Sequence, residues 1–360
     1  MTIMGQTDYD TERAEAFAGR IAGMLDAGAA AAMLSLGHRL GLFDALAGLA
    51  RPATSDEIAT AADLAERYVR EWLAVMVMAG VVEHDAGTRR YRLPPEHAAC
   101  LTRDAPLGNL AVYAQHIALL GKVEDRTIRN FETGGGSVYD DYPCFHQIMA
   151  EDSVQTVTAA LFDHVLPLAP ELHERLEAGI DVLDAGCGRG SALIAMARRY
   201  PRSRFVGYDL CADAIAAAAR MAGAGGLENL RFETRDLTGY AEPGAWDFVT
   251  SFDAIHDQKD PLGLVRGLRA SLRPGGVYVM QDIGASADLE ANRDFPFATL
   301  LYAISTTHCT PVSIGQGGEG LGTMWGWETA ERFLREAGFA RIERHVLPHD
   351  PMNVWFVARA

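Results

Sequence analysis

The sequence predicts an α/β protein, with a Rossmann-like doubly wound sheet in its C-terminal half and a mostly helical domain before it. Three observations predict this. From Ile180 onward, short apolar runs alternate with helical segments. The first of these runs ends in a glycine-rich turn over 184–190. Residues 11–93 show the order of three helices followed by a β-hairpin.

Bulk properties narrow the kind of protein. With 360 residues, 49% of them hydrophobic, the chain is long enough for two domains with separate cores. Its formal net charge of −16 does not suit nucleic acid or an anionic membrane as a partner. The five cysteines include no C-x-x-C pair, which predicts reduced thiols and a cytoplasmic location. The first residues are polar and no apolar run approaches bilayer length, so we expect neither a secretory leader nor a membrane helix.

Residues 1–100 are predicted to form a winged-helix domain. Thr54 and Glu57 have the spacing of a capping box, which opens the second of three helices. The first helix is alanine-rich and more apolar than a solvated helix needs, which predicts a homodimer formed through this domain. The predicted elements are helices over about 11–37, 54–62 and 64–79, and hairpin strands over 81–84 and 90–93.

A winged helix can bind DNA, but the charges of this one do not favour it. In the presumed recognition helix, Glu66 and Glu71 offset Arg67 and Arg70. Three arginines in the hairpin are a small basic patch for a phosphate-binding surface on an acidic chain. We therefore expect no nucleic acid partner and interpret the domain as a scaffold for dimerisation.

Residues 101–178 are predicted to form a helical connector, broken by three glycines at 134–136. Three aromatic residues and a methionine follow the break: Tyr139, Tyr142, Phe145 and Met149. Such side chains beside a glycine hinge suit the wall of a small-molecule pocket. They suit packing between domains equally well, so composition alone leaves both interpretations open.

Residues 179–360 are predicted to form the sheet domain, with a mainly helical insertion over about 290–325. The last two strands are joined tightly through Pro348 and Pro351, which predicts a closing hairpin. The seven predicted strands cover about 181–184, 204–209, 229–233, 246–251, 277–282, 340–346 and 353–358.

The glycine-rich turn predicts a ligand held against the backbone. The run DAGCGRG over 184–190 has glycine at every second position, which permits positive φ and close approach of a ligand. The helix that follows directs N–H groups toward that ligand. A dinucleotide-binding turn would have its third glycine at position 191, where Ser191 stands. The D-x-G-x-G-x-G form resembles instead the first motif of class I S-adenosylmethionine (SAM) dependent methyltransferases, where Asp184 would face the methionine end of the cofactor.

Acids at the ends of the next two strands extend this resemblance, because the carboxyl ends of parallel strands meet at one edge. Asp209 ends the second strand, where a carboxylate can accept both ribose hydroxyls. Asp236 follows the third strand and can accept from an adenine amino group, with Leu237 packing on the ring. The implied cofactor is SAM, with S-adenosylhomocysteine as product. The implied cofactor-binding residues are Asp184, Gly186, Gly188, Gly190, Asp209, Leu210, Asp236, Leu237 and Phe252.

Nearly the whole chain is similar to the plant-type small-molecule O-methyltransferases and their actinobacterial relatives. The segment FHQIM over 145–149 resembles the family's pocket-lining F-N-x-x-M, with His146 in place of its Asn. AIHD over 254–257 matches the family's His-Asp, which implies His256 as general base, although Gln258 stands where the family usually has Trp.

A second group of family residues is matched only in part. Asp282 falls where the family keeps a Glu beside the catalytic histidine, which implies Asp282 as the second catalytic residue. The family's other Glu is replaced in the run GLGT over 320–323. The candidate substrate-binding residues are Tyr139, Tyr142, Phe145, Met149, His308, Met324 and Trp325. No metal site is predicted, because Pro348 separates His345 from His349 near a strand end.

The resemblance implies a SAM-dependent methyltransferase for a small-molecule acceptor, with a hydroxyl that His256 deprotonates. Methyl transfer from a sulfonium needs positioning and a deprotonated acceptor, and an imidazole is a suitable base at neutral pH. One alternative is a ligand-sensing winged-helix transcription regulator with a methyltransferase-like binding domain. Another is an NAD-type oxidoreductase, which Ser191 disfavours. The sequence leaves open the substrate and the choice among O-, N-, S- and C-methylation.

Overall fold

The computed structural model describes residues 9–106 and 108–360, and it divides into two compact units, Met1–Ala118 and Leu119–Ala360. The boundary between the units falls inside the predicted connector. The expectation that no leader precedes the fold concerns mainly residues 1–8, which lie outside the described residues. Each unit is described by itself below.

The first unit contains the predicted winged helix. The capping box is confirmed: Thr54 Oγ1 accepts from the Glu57 N–H at 3.3 Å, and the Glu57 carboxylate accepts from the Thr54 N–H at 2.8 Å. In the hairpin, Glu83 pairs with Arg92 and Asp85 with Arg90. The elements are α1 (Thr11–Arg39), α2 (Leu42–Leu49), α3 (Ser55–Ala62), α4 (Glu66–Met78), β1 (Glu83–Asp85), β2 (Arg90–Arg92) and α5 (Pro95–Ala98).

Helix α1 packs on its own unit only near its C-terminal end. The Trp72 indole N–H donates to the Met33 carbonyl at 2.9 Å, and a Cβ on Gly37 would lie 2.5 Å from the Trp72 ring. Residues 9–29, by contrast, are exposed within the single chain. By length and composition α1 could cross a membrane, which corrects the expectation that no run is long enough. Alanine and glycine provide much of that apolar length.

The second unit begins with helices and irregular helical turns. The predicted glycine hinge is instead a tight contact: a Cβ on Gly136 would lie 2.0 Å from the Gly315 nitrogen, and the Ser137 N–H donates to the Pro311 carbonyl at 2.8 Å. The α-helices before the sheet are α6 (Ala111–Thr133), which starts in the first unit, α7 (Phe145–Ser153) and α8 (Glu171–Ala178). Between them lie short turns over Tyr139–Asp141, Val154–Thr158, Leu161–Val165 and Leu166–Leu168.

The predicted seven-stranded sheet is confirmed, in the order β5-β4-β3-β6-β7-β9-β8. Strand β9 is antiparallel to both its neighbours, and the other pairs are parallel. The strands are β3 (Asp181–Ala185), β4 (Arg204–Asp209), β5 (Leu230–Thr234), β6 (Trp246–Phe252), β7 (Leu272–Ile283), β8 (Arg341–Leu347) and β9 (Asp350–Arg359). The helices are α9 (Ser191–Arg199), α10 (Ala212–Ala224), α11 (Pro261–Ser271), α12 (Ala298–Ile304), α13 (Thr310–Gly315) and α14 (Trp327–Glu336).

Both faces of the sheet are covered by apolar cores, as a parallel sheet requires. One core contains Val249, Tyr278 and Phe356, and the other contains Phe248, Val279 and Trp355. Because the faces are filled, the carboxyl edge of the sheet is the place left for a ligand. The predicted helical insertion lies over α12, α13 and the turns around them.

Candidate active site

The glycine-rich turn takes the left-handed backbone at all three glycines, with φ of 78° at Gly186, 51° at Gly188 and 69° at Gly190. Two of them are needed for packing. A Cβ on Gly186 would lie 2.4 Å from the Ala254 Cβ, and one on Gly190 would lie 2.3 Å from the Phe232 ring. A Cβ on Gly188 would meet nothing within 4 Å. Open space therefore adjoins Gly188, whereas the other two glycines bring the turn against the neighbouring segments.

Two strand-end acids flank this turn in different hydrogen-bonding environments. Asp184 is buried and accepts from Thr250 Oγ1 at 2.8 Å, and burial, with the nearby Asp209, raises its pKa to about 7. Asp209 accepts from the Gly188 and Cys211 backbone N–H groups, both at 2.8 Å. Burial raises the pKa of Asp209, although those two N–H groups oppose the shift.

The nine predicted cofactor-binding residues line one cavity of about 1030 Å³, a volume that includes its open mouth. Tyr139, Phe145 and Met149, three of the candidate substrate-binding residues, line it too. Sequence reasoning gave no cofactor-binding role to other lining residues, two of which lie inside the quoted motifs. They include Arg189, Asp253, Asp257 and Gln316.

The cavity wall fits a cationic nucleoside such as SAM. Asp184, Asp209 and Asp253 all line the cavity, and burial raises the pKa of each, which means that their negative charge is poorly compensated. Asp253 Oδ1 is buried without a hydrogen-bond partner among the described residues. A ligand that carries positive charge and hydroxyl donors would satisfy these acids, and the open space at Gly188 leaves room for it.

His256 and Asp282 form a buried pair at the ends of β6 and β7. His256 Nδ1 lies 2.8 Å from Asp282 Oδ1, which also accepts from the Ile283 N–H at 2.8 Å and the Trp325 indole N–H at 3.0 Å. Burial alone would lower the pKa of His256, but Asp282 and Cys309 raise it well above its ordinary 6.5. Asp282 Oδ2 has no partner among the described residues.

An aromatic cluster adjoins the cavity wall at Phe145 and Tyr139. The Phe145 ring stacks on His308 with centroids 3.8 Å apart, and Tyr142 meets the same imidazole edge-on at 4.4 Å. Tyr142 donates its hydroxyl to the Thr307 carbonyl at 2.7 Å, and Tyr139 donates to Asp257 at 2.5 Å. Six of the predicted catalytic and substrate-binding residues do not line the cavity, namely Tyr142, His256, Asp282, His308, Met324 and Trp325.

The arrangement of domains and site defines the class of protein. Residues 28–103 match the model of the Rv2258c-like winged HTH domain, and residues 176–338 match that of a methyltransferase domain. The chain thus carries an Rv2258c-like winged HTH domain followed by a methyltransferase domain, which is the domain order of class I SAM-dependent methyltransferases with an N-terminal winged helix.

Comparison with individual proteins agrees with this class. Over 122 residues the chain is 35% identical to trans-aconitate 2-methyltransferase of Deinococcus radiodurans, a match covering 34% of this chain and 42% of that protein. The chain thus spans less than half the length of that relative. An O-methyltransferase family protein from Burkholderia thailandensis aligns with a TM-score of 0.62 and 17% identity, over 95% of this chain and 97% of the other. Human N-acetylserotonin methyltransferase in complex with SAM gives a TM-score of 0.61 and 15% identity, over 99% of each chain. At these identities the structural similarity shows the fold.

Alanine at two of the turn glycines should separate packing from backbone strain. Gly188→Ala should cost about 1–2 kcal/mol in the free energy of unfolding, from the left-handed backbone alone. Gly186→Ala should cost roughly 1–3 kcal/mol more, because its Cβ meets Ala254. The measurement is urea denaturation of both variants. Adding Ala254→Gly to Gly186→Ala should recover part of the loss, and equal losses for the two single variants would contradict the packing argument.

Proposed function

We propose that this protein transfers the methyl group of SAM to a hydroxyl of a small molecule, with His256 as the general base, in the cytoplasm. One observation carries the proposal: the nine residues that the sequence resemblance implied for the cofactor line a single cavity. Oxygen as the acceptor is supported by the name of the B. thailandensis O-methyltransferase family protein, which shares the fold.

Cofactor binding is assigned to the turn and the strand-end acids. SAM supplies an electrophilic methyl group on a sulfonium. Asp209 would accept the ribose hydroxyls through the lone pairs that its two backbone donors leave free. Asp184 would offset positive charge at the methionine end, and Asp236 would accept from the adenine amino group beside Leu237. Gly188 admits the ligand without a steric clash.

Proton removal is assigned to His256, which Asp282 holds in one orientation. If Nδ1–H donates to Asp282, the neutral imidazole presents a lone pair at Nε2. The raised pKa makes the imidazole a stronger base but also favours its protonated form, which cannot accept a proton. Turnover should therefore require prior deprotonation of His256.

Access to His256 is assigned to the aromatic cluster. Phe145 lines the cavity and stacks on His308, whose chain neighbour Cys309 acts on the pKa of His256. In this proposal the acceptor lies beside this stack. The rings of Phe145, Tyr139 and Tyr142 would then contact a flat, largely apolar acceptor.

The alternative of a DNA-binding regulator finds little support in the charges of the winged helix. Arg67 pairs with Glu71 and Arg70 with Glu66 along α4, and Arg90 of the hairpin pairs with Glu57 at 2.9 Å. Paired guanidinium groups are poorly suited to neutralise DNA phosphates. We therefore propose methyl transfer rather than DNA binding as the function.

Replacing Asp209 tests the cofactor site directly. Asp209→Ala should remove hydrogen bonds to a charged acceptor worth roughly 1.5–3 kcal/mol, which is about a 10- to 150-fold rise in the SAM dissociation constant. Isothermal titration calorimetry measures it, with circular dichroism to confirm folding. The exposed neighbour Asp213→Ala is the charge-matched control and should bind SAM nearly as the unmodified protein does. Unchanged affinity in Asp209→Ala would exclude this ribose contact.

The base assignment predicts a specific pH profile. Because a raised pKa keeps His256 protonated, kcat/KM should rise with pH along a limb centred above 6.5. Asp282→Asn removes a charge that raises this pKa, so the limb should move to lower pH while turnover falls. His256→Ala should lower kcat about 10²- to 10⁴-fold for phenols of high pKa, and least for acceptors already ionised. A small loss that is independent of acceptor pKa would make His256 a bystander.

We further propose that α1 forms a homodimer interface. Phe17, Ile21, Met24 and Leu25 lie on one face of α1 at helical spacing, and each is at least 40% exposed in the single chain. Burial of such a stripe against a second copy would remove it from water.

Charge placed on this stripe should break the dimer. We expect Leu25→Glu to sediment as a monomer under conditions in which the unmodified protein is a dimer. Ala22→Glu adds the same charge on the side of α1 that faces away from the stripe, with Glu15 and Asp26, and should stay dimeric. Analytical ultracentrifugation distinguishes the two. A monomeric unmodified protein, or a dimeric Leu25→Glu variant, would contradict the interface.

A further inference from the structure

Three metal-ligating side chains converge at the cavity beside the glycine turn. A nitrogen of His146, a carboxylate oxygen of Asp209 and the sulfur of Cys211 all lie within 4.8 Å of one another. His146 comes from the first turn of α7, and the other two come from the end of β4 and the residue that precedes α10. His146 and Asp209 also line the cavity.

The donor set has the chemistry of a site for a thiophilic divalent cation. Imidazole, thiolate and carboxylate are the ligand types that Zn²⁺ takes in proteins, with bonds of about 2.0–2.3 Å. Donor atoms around such an ion are therefore roughly 3.3–3.8 Å apart, so the three side chains need to close by only about 1 Å. A thiolate and a carboxylate would balance the two positive charges of the ion, and three protein ligands leave a fourth position open.

The charges around the three side chains favour a bound cation. A bound divalent ion stabilises a thiolate ligand directly. His146 Nδ1 lies 3.9 Å from the Asp213 carboxylate, which adds a negative charge beside the three side chains.

We propose that His146, Asp209 and Cys211 bind Zn²⁺ or Cd²⁺ and that this ion and SAM exclude each other. The ion and SAM would exclude each other because both would bind Asp209. This exclusion rests on the proposed cofactor site. Metal binding itself does not depend on it. The expectation of no metal site came from the histidine spacing alone, which cannot show a site whose ligands lie 63 residues apart, from His146 to Asp209.

The experiment uses the full chain after removal of adventitious metal with a chelator. Co²⁺ is titrated as a spectroscopic substitute for Zn²⁺, and the thiolate-to-Co²⁺ charge-transfer absorption is followed. We expect one equivalent to bind with this band, and Cys211→Ser to abolish it. Cys144→Ser, at an exposed cysteine outside the cluster, is the matched control and should retain it. His146→Asn, which introduces the residue of the plant-type segment, should weaken Zn²⁺ binding in calorimetry by about tenfold or more.

Competition tests the second half of the inference. Saturating S-adenosylhomocysteine should suppress the Co²⁺ band, and Zn²⁺ should raise the apparent dissociation constant of S-adenosylhomocysteine in the unmodified protein but not in Cys211→Ser. A band that survives Cys211→Ser, or several weak equivalents in place of one, would overturn the metal site. A band insensitive to bound S-adenosylhomocysteine would overturn exclusion. If S-adenosylhomocysteine does not bind at all, the proposed function and the exclusion fail, while the Co²⁺ titration of the variants still decides the metal site.

Discussion

The close contact between Gly186 and Ala254 fixes the geometry of the site. It joins the turn after β3 to the loop after β6 at a distance that leaves no room for a Cβ on Gly186. Since strands β3 and β6 are neighbours in the sheet, this contact sets where both of their carboxyl ends lie. Asp184 on one side and Asp253 and Asp257 on the other consequently line the same cavity. The contact of Gly190 with Phe232 likewise holds the turn against strand β5.

That geometry concentrates negative charge where little water can screen it. Burial raises the pKa of Asp184, Asp209, Asp253 and Asp257, because desolvation disfavours the charged form of each carboxyl group. A nearby positive charge stabilises buried carboxylates of this kind. Both ligands that we infer are cations, one an organic sulfonium and the other a divalent ion. The same buried negative charge would stabilise either cation.

Features that depend on local pattern could be predicted from the sequence. The capping box at Thr54, the glycine turn and the acids at 184 and 209 follow from spacing within a few residues or from the alternation of strands and helices. Contacts between distant segments could not. Gly136 lies against Gly315, and Tyr139 donates to Asp257 across 118 residues. No sequence motif links the two members of either pair. The exposure of α1 likewise depends on how far its packing partners extend, which composition does not show.

The two oxygens of Asp282 differ in their hydrogen bonds, and the difference bears on the base that we propose. Three donors converge on Oδ1, namely His256, the Ile283 N–H and the Trp325 indole, whereas Oδ2 has no partner among the described residues. If the Nδ1–H of His256 donates to Oδ1, Nε2 is the ring nitrogen left for the general-base role that we propose. The Asp282 carboxylate also raises the pKa of His256, so in this proposal one residue sets both the orientation and the strength of the base.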